Sequence, residues 1–519
     1  MKSVVKPLLA IMLTSTMVLS AVAFTVDTSA EPEDPFSYAD FYFMPLDDST
    51  VSLLGYEGSD TVIDIPAEAI SPTSHHYDVV EIGGTFDDSI AEVNIPDGIV
   101  RISNNAFTYA TSLTTITVSN SNSYYQSDDG VLYTKGLHKL IQYPIGRDDG
   151  TYTVANATSE ICVSAFQSSS LSTVTLPVNL LKISDSAFCD CKNLTSISFP
   201  SKLSIIEDSA FLGCTSLSNV VFPDDLDMIG SYAFCYTAIS EINIPYGVEY
   251  IGDYAFSCCE NLQVFTSDNY RFPALNGILY EESEKNEKIL CYPAGKTDTE
   301  FTVPEKTDIK FGAFYGCVNL KSVSFPKGYN SVPIGALYGC HSLETVDLKN
   351  ITVIEMYAFY ECLSLKTIEN NQDLIFIGTL AFYDCGLTEV HIPSKVTVVE
   401  SMAFSYCRSL QEAVIDESCK ASIESYVFDG DAELKTIRVN SSDVVFEENS
   451  LVISEDEDLK AHVDIFVPSG YDIPSDASNE FTILNVIREG ERPYPWENWI
   501  GVFFCALVII GILYGMREV

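Results

Sequence analysis

Basic residues are scarce: 28 Lys and Arg stand against 73 Asp and Glu, for a formal charge of -45. A body this acidic repels nucleic acid and anionic lipid, so neither is an expected partner. The six histidines, His75, His76, His138, His341, His391 and His462, are scattered, with no His-Glu-x-x-His spacing and no second cluster to complete a metal site. The chain also lacks a phosphate-cradling glycine loop, a Gly-x-Ser-x-Gly elbow and any acid pair tied by spacing to an insertion. Asp87-Asp88, Asp128-Asp129 and Asp148-Asp149 do not carry the spaced oxygens of an EF-hand loop. No enzyme, cofactor or metal is expected. Charged residues make up only 19% of the chain and apolar residues 46%, which is enough apolar material for a continuous core.

The two ends read as targeting segments. Lys2 and Lys6 precede an apolar run from Leu8 to Val22, followed by small residues at Ala21 and Ala23 or at Thr28 and Ala30. That order predicts a secretory signal peptide over 1–30. Trp496 and Trp499 precede the uncharged run Ile500 to Met516, with Arg517 directly after it. This predicts a transmembrane helix over 499–516, a stalk over 486–498 and a cytoplasmic tail of 517–519. The expected location is therefore the cell surface, single-pass and anchored, with the N-terminal body outside.

Between the ends the chain repeats itself. Ala-Phe or a close variant places an aromatic or apolar residue at Phe86, Phe107, Phe166, Phe188, Phe211, Phe234, Phe256, Phe314, Leu337, Phe359, Phe382, Phe404 and Phe428. Successive positions differ by 21 to 24 residues, except for gaps of 59 after Phe107 and 58 after Phe256. Such a period predicts a solenoid of stacked coils. Within a coil, Leu194, Ile197 and Phe199 point inward from a strand that Pro200 ends, since proline has no amide to continue a ladder. The Ala-Phe pair then packs the far wall. An N-terminal cap is expected over 31–80, the solenoid over 81–440 and a C-terminal cap over 441–485.

The pattern Ile-x-x-x-Ala-Phe-x-x-Cys-x-x-Leu-x-x-Ile-x-Ile-Pro resembles the BspA-like leucine-rich-repeat family over roughly residues 40 to 440. The two long gaps carry matching segments, Gly130-Val131-Leu132-Tyr133 with Lys139 to Pro144, and Gly277-Ile278-Leu279-Tyr280 with Lys288 to Pro293. Each predicts one β-hairpin insertion, near 120–155 and 268–304. The resemblance implies a cell-surface protein that adheres to or recognises macromolecules, with no catalytic residues to transfer. Glycan or solute capture and a passive role in the envelope are the alternatives.

Eight of the fifteen cysteines fall three residues after the repeat aromatic: Cys191, Cys214, Cys259, Cys317, Cys340, Cys362, Cys385 and Cys407. That regularity predicts buried, reduced packing residues. Ala110, Ser169, Thr237 and Asp431 hold the same place in other coils.

On each strand, alternate residues face outward. Early coils present Thr115 and Thr117, Thr173 and Thr175, then Ser196 and Ser198. Later ones present Glu241 and Asn243, Thr345 and Asp347, Thr367 and Glu369, Glu389 and His391, and Thr436 and Arg438. The expected binding residues are Glu241, Asn243, Asp347, Glu369, Glu389 and His391, facing an extracellular protein or glycan with basic or hydroxyl-rich groups on a host or neighbouring cell. His391 adds pH sensitivity to that expectation. The oligomeric state is left open.

Overall fold

Every coil turns through three walls, and each has its own reason to form. On the first, Thr173–Thr175 pairs in parallel with Thr151–Thr153 on one side and Ser196–Ile197 on the other. Its exposed-buried-exposed pattern is that of a half-buried strand, which β-branched Thr and Val favour. The second wall is a column of two-residue strands, including Lys182–Ile183, Ile205–Ile206, Met228–Ile229 and Tyr250–Ile251. With the first insertion this column forms an eight-stranded sheet. It contributes one inward isoleucine per coil, too short a pattern to be read as a strand from sequence.

The third wall carries the Ala-Phe pair between two left-handed residues. Ser164 and Ser168, Ser186 and Asp190, Tyr232 and Tyr236, and Tyr357 and Glu361 all have φ between 55 and 61°. An L-residue held there costs roughly 1–2 kcal/mol, and this wall repeats the cost coil after coil. Cross-coil hydrogen bonds offset it, among them Phe188 N–H to Ala210 O at 2.8 Å and Phe211 N–H to Ala233 O at 2.8 Å. The rings stack down the centre: Phe166–Phe188, Phe188–Phe211 and Phe211–Phe234 have centroids 4.8, 5.0 and 5.1 Å apart and nearly parallel planes.

The structure is a computed structural model that describes residues 34–283, 286–369, 371–453, 461–479 and 482–488. The segments expected as signal peptide, transmembrane helix and tail lie outside the described residues, as does most of the stalk. Among the described residues no helix is long and apolar enough to cross a membrane. The helical content there is one 3-10 turn, Lys135–Leu137.

The insertions are hairpins whose last strand rejoins the coil. Tyr125–Asp128 pairs antiparallel with Val131–Thr134, which pairs antiparallel with Lys139–Gln142, and this last strand lies parallel to Glu160–Ile161 of the second wall. Glu287–Cys291 repeats the arrangement, antiparallel to Ile278–Glu281 and parallel to Thr307–Ile309. Tyr143 and Tyr292 then occupy the place of the repeat phenylalanine. Tyr143 N–H donates to Ala165 O at 2.8 Å and Tyr292 N–H to Ala313 O at 2.7 Å, as a phenylalanine amide does elsewhere. Each long gap therefore contains a further coil, which the search for Ala-Phe passed over because its ring is a tyrosine before proline.

The hairpins also divide the core. Leu132 packs into the core before the first insertion, while its neighbours Val131 and Tyr133 pack into the one after it. At the second insertion Leu279 faces back and Ile278 and Tyr280 face forward.

At the N-terminal end Phe36–Tyr38, Phe41–Pro45 and Thr50–Tyr56 form an antiparallel meander, which joins His76–Ile82 in parallel. At the other end Val445–Phe446 extends the second wall and Ala461–Val467 extends the first. Thr482–Arg488 pairs with Ala461–Val467 in parallel.

Candidate functional site

The six residues proposed from sequence all lie on the first wall. Glu241, Asn243, Glu369, Glu389 and His391 are exposed, and Asp347 is half-buried. They fall into three groups because the wall is broken into separate sheets. Glu241 and Asn243 sit on Glu241–Ile244, which among the described residues pairs with Val264–Ser267 alone, and Asn243 Oδ1 accepts the Thr266 hydroxyl at 3.0 Å. Asp347 and Glu369 are direct partners on neighbouring strands and continue a row that begins with Thr302 and Ser324. Glu389 and His391 share a strand, with Glu412 opposite Glu389 and Val414 opposite His391.

Sequence reasoning did not find the cross-coil partners. The Arg438 guanidinium pairs with Glu412 at 2.6 Å and lies 4.4 Å from the centre of the Phe466 ring. One basic residue of the outward row is thus engaged by its own neighbours. Asn371, outside the strands, donates from Nδ2 to the His391 carbonyl at 2.9 Å. Residues 20 or more positions apart carry no local signal for such contacts.

The wall opens midway. Beyond Ser196–Ile197 a single bridge, Ser196↔Asn219, continues it among the described residues. No backbone hydrogen bond joins residues 217–223 to 239–245 among the described residues. Phe199 and Phe222 stack here at 6.1 Å, wider than the 5.0 and 5.1 Å between the central rings of Phe188, Phe211 and Phe234 beside them. A cleft of about 550 Å³ results, lined by Ser196, Ser198, Phe199, Asn219, Phe222 and Asp224 among others.

Behind the ring column runs a thiol ladder. Cys191, Cys214, Cys259, Cys340, Cys362, Cys385 and Cys407 each direct Sγ at the carbonyl of the aromatic or Leu337 one coil earlier, at 3.0–3.2 Å. The fourteen described cysteines are free thiols. Burial pushes the Cys259 thiol up to about 12, which keeps it protonated and able to donate. Cysteine suits this place because it is a small, nearly apolar group with one weak donor. Thr237, at the same place, instead donates within its own coil, to Phe234 O at 2.9 Å. Asp431 ends the ladder fully buried, with neither carboxyl oxygen hydrogen-bonded, and burial raises its pKa far above the usual carboxylate range.

The family signature, "BspA type Leucine rich repeat region (6 copies)", matches residues 84–133, 151–270, 294–411 and 336–454, which is more than half of the chain. The chain belongs to the BspA-type leucine-rich-repeat family. Among solved structures, this BspA-type chain is similar to a leucine rich cell surface protein from Faecalibacterium prausnitzii A2-165. Identity is 24%, coverage is 79% of this chain and 96% of the other, and the TM-score is 0.44. It is also similar to the pneumococcal vaccine antigen PcpA, with 18% identity, coverage of 88% and 100%, and a TM-score of 0.48. A leucine-rich repeat protein from Bacteroides ovatus shares 21% identity over 87% of this chain and 99% of its own, with a TM-score of 0.34. No curated protein matches the sequence.

Proposed function

We propose that this BspA-type protein is a non-catalytic recognition protein of the cell surface, which binds an extracellular protein or glycan through the first wall of its later coils. The observation that carries the reading is the alignment of Asp347 beside Glu369, one coil apart on the strands, with Glu389 exposed on the sheet that follows. Backbone pairing fixes these acceptors before a partner arrives, so little ordering entropy is lost on binding. The signal-peptide and membrane-span patterns of the sequence support display outside the cell. The purified full-length chain, applied to an array of extracellular proteins and glycans, should give reproducible ligands. Reversing Asp347, Glu369 and Glu389 to Lys should abolish that binding, and retention of full binding would discard the site.

A second reading, capture of a glycan or small solute, is favoured by the cleft at the opening of the wall. Hydroxyl and amide side chains lie there beside the Phe199 and Phe222 rings, a mixture that suits a small polar ligand with an apolar face. Ligands from the array whose binding falls on Asn219→Leu and not on the Lys reversals would move the site to this cleft.

A further inference from the structure

The third wall of the later coils carries a second row of side chains that the strand face does not explain. Tyr338, Tyr360 and Tyr383 stack with centroids 4.6 Å apart, and Tyr406 continues the row at 5.1 Å. All four are half-buried. Stacking uses the ring faces within the row, so hydroxyl edges are what the row offers to a partner. Apolar residues of the same stretch of wall are exposed, including Phe311 at 49% and Leu363 at 50%.

Glu361 and Asp384 follow Tyr360 and Tyr383 directly and occupy the left-handed position of adjacent coils. Neither makes an ion pair or a side-chain hydrogen bond among the described residues. Burial, together with the charge of Asp384, pushes Glu361 up to about 7, and burial raises Asp384 as well. Asp384 already feels the charges of Arg408 and His341, whereas Glu361 is met by no cation among the described residues. The Arg408 guanidinium stands at the end of the row, 5.8 Å from the centre of the Tyr406 ring.

We infer that this tyrosine strip is a docking surface for a protein partner that presents arginine side chains. A guanidinium has several donors in a flat fork, which matches closely spaced phenol and carboxylate oxygens. Arg408 shows the same chemistry within the chain at Tyr406 and Asp384, and Glu361 one coil earlier has no such cation among the described residues. Apolar residues around the row favour a protein surface, since aromatic residues, methionine and arginine are enriched at the centres of interfaces. A second copy of this chain is a poor occupant because it brings its own charge of -45. This surface is separate from the strand face and does not depend on the function proposed there.

The test uses the full-length chain and a hexa-arginine peptide at about 150 mM salt, where long-range attraction is screened. Binding is measured by fluorescence anisotropy. The double variant Glu361→Gln, Asp384→Asn should weaken it at least tenfold, with the circular dichroism spectrum unchanged. A control variant elsewhere on the chain, Asp88→Asn, Asp97→Asn, Glu249→Gln, removes three exposed carboxylates that lie in neither proposed surface and should change it less than twofold. Should the double variant misfold, Tyr360→Phe with Tyr383→Phe replaces it and should weaken binding at least threefold. Equal losses from the wall and control variants, no loss from the wall variants, or no binding by the native chain would overturn the proposal.

Discussion

Asp431 stands where a cysteine would complete the thiol ladder, and Asp431→Cys should stabilise the protein at neutral pH. The native carboxyl is fully buried with no hydrogen-bond partner, so the folded state favours its neutral form. Because the folded pKa lies well above the unfolded value of about 3.9, the folded state holds a proton that the unfolded chain has already released. Its contribution is fully present below about pH 4 and is lost as pH rises toward the folded pKa, by about 1.4 kcal/mol per pH unit. An unsatisfied buried group carries a penalty of about 1–3 kcal/mol, and that is the expected gain on substitution at pH 7. Cysteine at this place would direct Sγ at the Phe404 carbonyl, as Cys407 does at Phe382 at 3.1 Å. Urea unfolding of the full-length chain, followed by tyrosine fluorescence at pH 4.5, 6 and 8, provides the measurement. The variant should show a higher midpoint at pH 8 and a flatter dependence on pH. An unchanged pH slope, or a lower midpoint at pH 8, would refute the assignment of a neutral buried acid.

Three further outcomes are expected. Glu361→Gln should remove a separate part of the pH dependence, because a carboxyl raised to about 7 contributes stability below about pH 4.5 that is lost as pH rises through 7; denaturation midpoints at pH 5 and 8 that differ as much as in the native chain would contradict this. Phe211→Ala removes a ring with no exposed surface, stacked at 5.0 and 5.1 Å on its neighbours, and should cost about 3–5 kcal/mol, read as faster hydrogen exchange in the coils of Phe188 and Phe234. Ser186, at φ 55°, should gain about 0.5–1 kcal/mol on replacement by glycine and lose more than that on replacement by valine, measured as shifts in thermal midpoint.

Much of the fold was legible because it repeats. The Ala-Phe pair, the cysteine three residues later and the proline after each strand recur often enough to reveal the coil, its strand and its inward residues. Two features were not legible. Isoleucines such as Ile206 and Ile229 form the second wall from two-residue strands, and two residues carry no period. Tyr143 and Tyr292 keep the place of the ring through their backbone bonds, which a search by residue type does not detect. At the site, alternation along the strand placed Glu241, Glu369 and Glu389 on the outward face. It did not reveal that the wall parts beside Asn219, where the Phe199 and Phe222 rings stack. Nor did it reveal the tyrosine strip, whose members line up only when coils stack.

The partition of the core by the two hairpins has a mechanical consequence. Leu132 and Tyr133 are adjacent in sequence yet belong to different cores, and so do Leu279 and Tyr280. Side-chain packing is handed over at both seams, but the second is bridged by a further cluster in which Cys235 and Cys258 pack against Tyr315, so the first seam is the sharper boundary between cooperative units. A chain pulled from its ends should part first at the first seam, before the segments themselves unfold. Damage such as the loss of Phe211 should stop at that seam, leaving the N-terminal coils intact while the middle of the rod melts.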